Sequence, residues 1–320
     1  MGKYFKMANS PLPQTEITPG AAPVMQTTIA NPATVEGVGL HSGSPVRMTL
    51  VPAEPDTGIV FVRTDLGGAE VPARWDRVTD TMLCTRITGE SGIHVGTVEH
   101  LMAALAGCRI DNLRVELDGA EVPIMDGSSE AFVAMIDQAG VAELAAERRA
   151  IKILKTVEVV QDGKLARLEP SARFEVNFEI DFDHAAIGRQ ERGLTFVNGA
   201  FRSQISRART FGFLHEVEHL QKLGLAKGGS LDNAIVVGKD GILNDGGLRF
   251  DDEFVRHKIL DSVGDLYLAG APILGRFHGV RAGHALNNSL LHALFSDPEA
   301  WEFVPLAGSA DYATERAAAE

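Results

Sequence analysis

Two stretches of this sequence set histidine and carboxylate side chains one helical turn apart. Phe213 to Leu220 reads FLHEVEHL, in which His215, Glu216 and His219 spell H-E-x-x-H. On a helix the two imidazoles of that motif share a face and can bind one Zn²⁺ while the glutamate activates its water. A third ligand is required, and the downstream pattern H-x-x-G-x-x-H fails, because Lys222 stands at the Gly position and Leu225 at the last His. Phe213, Val217 and Leu220 form one stripe, with His215, His219 and Lys222 on the opposite side. That is the pattern of an ordinary surface helix with a solvated polar face.

The second stretch, RHKILDSVGDLYLAG, places His257, Asp261 and Asp265 at intervals of four, opposite an apolar stripe of Ile259, Val263 and Leu266. H-x-x-x-D alone is common, and a solvated face is its plain alternative. This helix, however, is more apolar than a surface helix, and buried carboxylates are costly unless they pair or coordinate a cation. A matching anomaly lies in VGTVEHLMAALAG, where Glu99 and His100 open a helix that is otherwise small and apolar. One such histidine is usually a satisfied core residue, but the adjacent glutamate is harder to dismiss. Together His100, His257 and Asp261 make His₂Asp with one open position, the ligand set of a catalytic rather than a structural zinc. Glu99 would be the base beside the metal. His284, in RAGHALNN near a helix start, is the candidate acid, with Asp265 fixing its tautomer.

These residues need elements to hold them. From Gln26 the pattern is strand-like, with β-branched residues between Gly, Pro and Asp. Helices are expected over about Thr97 to Ala106, ended by Gly107, and about Ser129 to Ala139, ended by Gly140. AELAAERRA then reads as a linker. In the second half IKILKTVEVVQDG and FEVNFEIDFD read as strands, the latter with Phe174, Val176, Phe178, Ile180 and Phe182 on one face. A helix from about Asp252 to Leu268, a strand from about Ile273 to His278 and the helix LNNSLLHALF follow, while FLHEVEHL and DNAIVVG look like an insertion. Two α+β halves of the same rhythm suggest duplication, although residue identity does not align them.

At 320 residues, two domains of ordinary size are expected. A net charge of −13 argues against a nucleic-acid partner. Two cysteines, Cys84 and Cys108, cannot make a disulfide framework, which fits a reducing, cytoplasmic compartment. The N-terminal stretch has no apolar core long enough for a signal peptide, and no apolar run of about 18 residues predicts a transmembrane helix. Residues 1–24 and 308–320 read as disordered tails.

The blocks GVGLHSG (37–43), DTMLCTR (80–86), GTVEHL (96–101), PIMDGSS (123–129), ISRARTFGF (205–213), EFVRHKILDSVGD (253–265) and GHALNN (283–288) resemble, in this order, the UDP-3-O-acyl-N-acetylglucosamine deacetylases, zinc amidases of lipid A synthesis. The resemblance runs from about Thr27 to Val304. It implies an α+β fold of two similar domains, 25–145 and 146–307, each a pair of helices packed on a β-sheet. The second domain would carry a small βαβ-type insertion near 211–240 that forms an acyl passage. It implies one Zn²⁺ per chain, with Fe²⁺ as the alternative ion, on His100, His257 and Asp261. Glu99 is implied as general base and His284 as general acid oriented by Asp265, with Thr210 as oxyanion donor and Lys258 beside it. Leu40, His41, Met82, Phe211, Phe213, Leu214 and Val217 are implied as substrate contacts, whereas the histidines of HEVEH match no functional position. Ala226 and Lys227 depart from the more apolar passage rim of the family. The implied reaction is hydrolysis of the N-acetyl amide of UDP-3-O-(3-hydroxyacyl)-N-acetylglucosamine to acetate and the free amine, by a chain acting as a monomer. A zinc peptidase using HEVEH and a non-enzymatic sugar-nucleotide or lipid-binding protein are the rival readings.

Overall fold

The computed structural model describes residues 22–90, 92–197 and 199–306. The expected tails lie outside them, apart from residues 22–24, where the Val24 N–H donates to Leu306 and its carbonyl accepts from Arg148.

The chain is α+β, and its two halves repeat one sheet plan. In the first half the hairpin Ala33–Val38 and Pro45–Pro52 leads to a central strand, Leu113–Leu117, which pairs antiparallel with Pro45–Pro52 and parallel with Ile59–Arg63. Ile59–Arg63 in turn makes a hairpin with Ala69–Pro72. In the second half the hairpin Val157–Gln161 and Lys164–Pro170 leads to Ile273–Val280, antiparallel to Lys164–Pro170 and parallel to Phe174–Phe182, whose own hairpin partner is Gly188–Thr195. Strand order and direction match position for position, so the duplication suspected from rhythm is a property of the topology. Phe174–Phe182 keeps the expected alternation, with Val176, Phe178 and Ile180 buried.

Six helices complete the described residues: α1 (Glu99–Gly107), α2 (Glu130–Ala139), α3 (Ala200–Gln204), α4 (Leu214–Lys222), α5 (Glu253–Tyr267) and α6 (His284–Ser296). The repeat extends to them: α1 precedes and α2 follows the first central strand, as α5 and α6 flank the second. In each half an insertion separates the last hairpin from the helix before the central strand. The first is a small antiparallel sheet, Val78–Asp80, Arg86–Thr88 and His94–Val95. The second contains Phe211–Phe213, α4 and Ile235–Gly238, a parallel β-α-β unit with Gly241–Ile242 on its edge. The βαβ insertion expected near 211–240 is therefore present.

One expectation fails. AELAAERRA is not a linker but parts of two strands, Val141–Glu147, which pairs antiparallel with Met25–Ile29, and Arg149–Ile153, which pairs with Ile273–Val280 and Trp301–Pro305. Alanine and glutamate have weak strand preference, and here the pairing partner 112 or more residues away decides the conformation.

α1 is apolar beyond its first two residues, and every residue from Glu99 to Leu105 is buried. Leu101 and Leu105 are fully buried, worth about 1.5–3 kcal/mol each. It packs along α5. At the crossing a Cβ on Gly264 would stand 2.0 Å from the Glu99 carbonyl oxygen and 3.1 Å from the Ala103 nitrogen, so only glycine lets the backbones meet. That contact brings the N-terminal turn of α1 against the polar ridge of α5.

Candidate active site

The N-terminal turn of α1 presents Glu99 and His100, the ridge of α5 presents His257, Asp261 and Asp265, and the first residue of α6 is His284. All six are buried or nearly so, although the first two lie more than 150 residues from the rest in sequence.

The ligating atoms of His100, His257 and Asp261 lie within 4.8 Å of one another, the one group of three such residues among those described that could hold a metal ion. Asp261 Oδ1 lies 3.2 Å from His257 Nε2 and 3.6 Å from His100 Nε2, and its other oxygen accepts from Lys258 Nζ at 2.8 Å. His257 Nδ1 donates to the Ala208 carbonyl at 3.1 Å, which leaves Nε2 with a free lone pair. Buried Asp261 Oδ1 has no hydrogen-bond partner among the described residues, nor has His100 Nδ1. A lone pair and an unpartnered carboxylate oxygen pointing at one another in a dry site repel unless a cation sits between them. The donor set therefore fits a small divalent ion of the zinc type. Against the penalty of burial, His257 and Lys258 hold the Asp261 carboxyl well below its ordinary value, and burial lowers His100, so both are in their ligating forms.

Beside this group stands a second arrangement. Glu99 Oε1 and His284 Nε2 face each other across 3.8 Å. Burial pushes the Glu99 carboxyl up to about 7, opposed by His284 and assisted by Asp265 and Asp261. Burial alone would lower His284, but the charges of Asp265 and Glu99 outweigh it and raise the imidazole to about 9. Asp265 Oδ2 accepts His284 Nδ1–H at 2.9 Å and Asn287 Nδ2–H at 2.8 Å. The pair can thus stand as a carboxylate and an imidazolium across a gap, the arrangement of a base facing an acid.

Of the remaining predicted residues, Lys258 and Phe211 stand next to this core. Thr210 is tied by its backbone to Gly127 and Ile235, two residues beyond the carbonyl that holds His257. Lys258 is engaged by Asp261 and kept above its ordinary value, burial being outweighed by Asp261. The Phe211 ring stands 6.3 Å from His257 and 5.7 Å from Phe182, which also lies 6.0 Å from Phe213. Val217 is half-buried over Gly212, while Leu214 is 39% and Met82 65% exposed. The Leu40 and His41 carbonyls accept from Gly228 and Lys227, so the first half clasps the inserted unit at its Ala226–Lys227 departure. Both ring nitrogens of His41 are buried and unpartnered among the described residues. His215, Glu216 and His219 are exposed on α4, as a solvated face requires.

Three residues of the site had escaped sequence reasoning. Glu121, buried, accepts from the His41 and Ser42 N–H groups and the Ser42 and Thr97 hydroxyls at 2.9–3.1 Å, so it holds the His41 loop and the left-handed Thr97 (φ +55°) that precedes α1. Thr85 and Asn287 bond Asp265. Glu121 and Thr85 fall beside or within recognisable blocks, but nothing in their type or spacing distinguishes them from ordinary polar residues.

Residues 26–296 match the family model described as "LpxC: UDP-3-O-acyl N-acetylglycosamine deacetylase". The chain is 54% identical over 281 residues, 88% of its length and 89% of the relative's, to a UDP-3-O-acyl-N-acetylglucosamine deacetylase of Myxococcus xanthus. It is 52% identical over 297 residues to the protein of that name from Acidithiobacillus ferrooxidans (92% and 95% covered), and 51% over 284 residues to that from Haemophilus influenzae (88% and 93%).

Proposed function

The chain belongs to the UDP-3-O-acyl N-acetylglycosamine deacetylase family, and on that premise we propose that it hydrolyses the N-acetyl amide of UDP-3-O-(3-hydroxyacyl)-N-acetylglucosamine. The products are acetate and the free amine, the committed step of lipid A biosynthesis. The observation that carries this reading is the convergence of a buried His₂Asp group with a carboxylate and an imidazole at 3.8 Å, all at one helix crossing.

His100, His257 and Asp261 would hold the metal, with Zn²⁺ as the ion their donor set suits and Fe²⁺ as the alternative. When bound, such an ion supplies Lewis-acid polarisation of the amide carbonyl and acidifies water. Glu99 takes the proton of the attacking water at Oε1, because Thr85 N–H occupies Oε2. The Thr210 hydroxyl donates to the oxyanion that develops, a contribution of roughly 3 kcal/mol for a single preorganised donor. An amine leaves poorly unless protonated. His284 gives that proton from Nε2, its Nδ1–H being held by Asp265. Lys258 keeps one Asp261 oxygen oriented and adds positive charge near the reacting carbonyl.

Phe211, Phe213, Leu214 and Val217 would line the acyl passage, and Leu40, His41 and Met82 the mouth where sugar and acyl chain meet. Residues 25–145 and 146–307 are taken as the two domains, with the site in the cleft between them. On the same reading the chain acts as a monomer. No helix among the described residues is long and apolar enough to cross a membrane, and we place the reaction in the cytoplasm.

The test is acetate release from the UDP-sugar substrate by the purified protein, His257→Ala and His219→Ala. Activity should vanish with His257 and persist with His219. The reverse result would move the metal to α4 and revive the peptidase.

A further inference from the structure

We propose that Thr85 is the positioning residue that sets both members of the acid–base pair. It would hold Glu99 and His284 in register across the two halves of the molecule. The idea rests on the reading of those two residues as base and acid.

Thr85 is 2% exposed and belongs to the segment between Val78–Asp80 and Arg86–Thr88 of the first insertion. All three of its polar groups are engaged in the site. Its N–H donates to Glu99 Oε2 at 3.0 Å, its hydroxyl donates to Asp265 Oδ1 at 2.6 Å, and its carbonyl accepts from Val98 N–H, at the start of α1, at 3.3 Å. The hydroxyl bond has the length of a strong, charge-assisted contact. One residue therefore reaches the proposed base on a first-half helix and the orienting partner of the proposed acid on a second-half helix, 180 residues away.

Each bond has a distinct consequence. A carboxylate gripped at one oxygen alone can still turn about its Cβ–Cγ bond. Asp265 is gripped at both, by Thr85 on Oδ1 and by His284 and Asn287 on Oδ2. Its plane is thereby fixed, and with it the tilt of the imidazole it holds. On the other side, the backbone N–H occupies Glu99 Oε2 and leaves Oε1 as the oxygen that faces His284 Nε2. Because one short peptide segment makes both bonds, base and acid cannot drift independently. Valine has the same shape without the donor and would strand a buried Asp265 oxygen, whereas serine keeps the donor.

The experiment uses metal-loaded T85V and T85S, with E99Q and H284A in the same assay. T85V should lower kcat by about tenfold to a hundredfold, the loss that follows from a misplacement of an ångström or less, with KM within about twofold. T85S should recover to within about threefold of the parent. In spectra of protein labelled with ¹⁵N-histidine, the His284 Nδ1–H resonance should shift or broaden in T85V and return in T85S. Should T85V fail to fold, T85A carries the same expectations.

Parental kcat in T85V, an effect on KM alone, an unmoved His284 resonance, or a T85S as impaired as T85V would overturn the proposal. If E99Q and H284A keep parental turnover, the acid–base reading itself falls. If they are inactive while T85V is not, only the role of Thr85 falls.

Discussion

The two insertions occupy the same place in the repeated topology, yet they have become different things. The first, around Val78–Val95, is small and lies close against the helices, delivering Thr85 into the site. The second, from Phe211 to Ile242, is larger and aromatic, and carries an exposed helix. The helices behind them diverged in the same sense. α1 contributes two site residues from its first turn and is otherwise apolar, whereas α5 contributes a ridge of three. Symmetry of fold therefore coexists, on our reading, with a division of labour: the first half holds the base in place, and the second holds most of the metal ligands and the acyl chain.

The comparison can be broken most severely at the ridge. Asp261→Ala should empty the site and reduce turnover by orders of magnitude, as metal analysis beside acetate assays would show. A variant retaining stoichiometric metal would return Asp261 to the status of an ordinary buried ion pair.

Gly264→Ala attacks the seam. Its Cβ would meet the Glu99 carbonyl at 2.0 Å, and backbone there cannot yield as a side chain can. A destabilisation of at least about 2–3 kcal/mol is expected, together with weaker metal retention, measured by denaturant unfolding and dialysis against chelator. Unchanged stability would mean that the helices part more easily than their packing indicates.

The pH profile sharpens the assignment of base to one half and acid to the other. As the proposed base, Glu99 works deprotonated, so activity should rise with pH through its value of about 7. As the proposed acid, His284 works protonated, so activity should fall as pH passes about 9. A bound cation draws Glu99 lower, which places the acid limb of kcat/KM at or below neutrality. The two limbs belong to the coupled pair. A profile flat from pH 5 to 10 would contradict both roles.

The mildest test separates the insertions. Phe213→Ala should weaken binding of long-acyl substrate by about 1 kcal/mol, roughly fivefold in KM, with kcat nearly unchanged. A loss of kcat instead would tie the second insertion to chemistry rather than to the acyl chain.

The metal group was legible because its members were chemically out of place. A glutamate and a histidine opening an apolar helix, and carboxylates lining another, demand a reason even before their partners are known. H-E-x-x-H at His215 showed the opposite lesson, a correct spacing with no third ligand among the described residues to complete a site. Helix limits were recovered within two residues because Gly107 and Gly140 mark their ends. Val141–Glu147 was missed because its partner, Met25–Ile29, lies at the other end of the half. Thr85, Asn287 and Glu121 were missed for a related reason. A threonine, an asparagine or a glutamate becomes notable only through the groups it meets, and Thr85 and Asp265 meet only once both halves have folded and docked.

The crossing of α1 and α5 at Gly264 has a thermodynamic side. His100 belongs to one repeat, and His257 and Asp261 to the other, so an ion held by all three binds the docked pair and not the separated halves. Linkage then makes metal affinity and docking two faces of one free energy: free ion at about a hundred times its Kd would favour the docked state by about 2.7 kcal/mol. On this view chelation does more than silence chemistry. It loosens the joint between the halves, and the chain stripped of its ion should unfold less cooperatively than the loaded one.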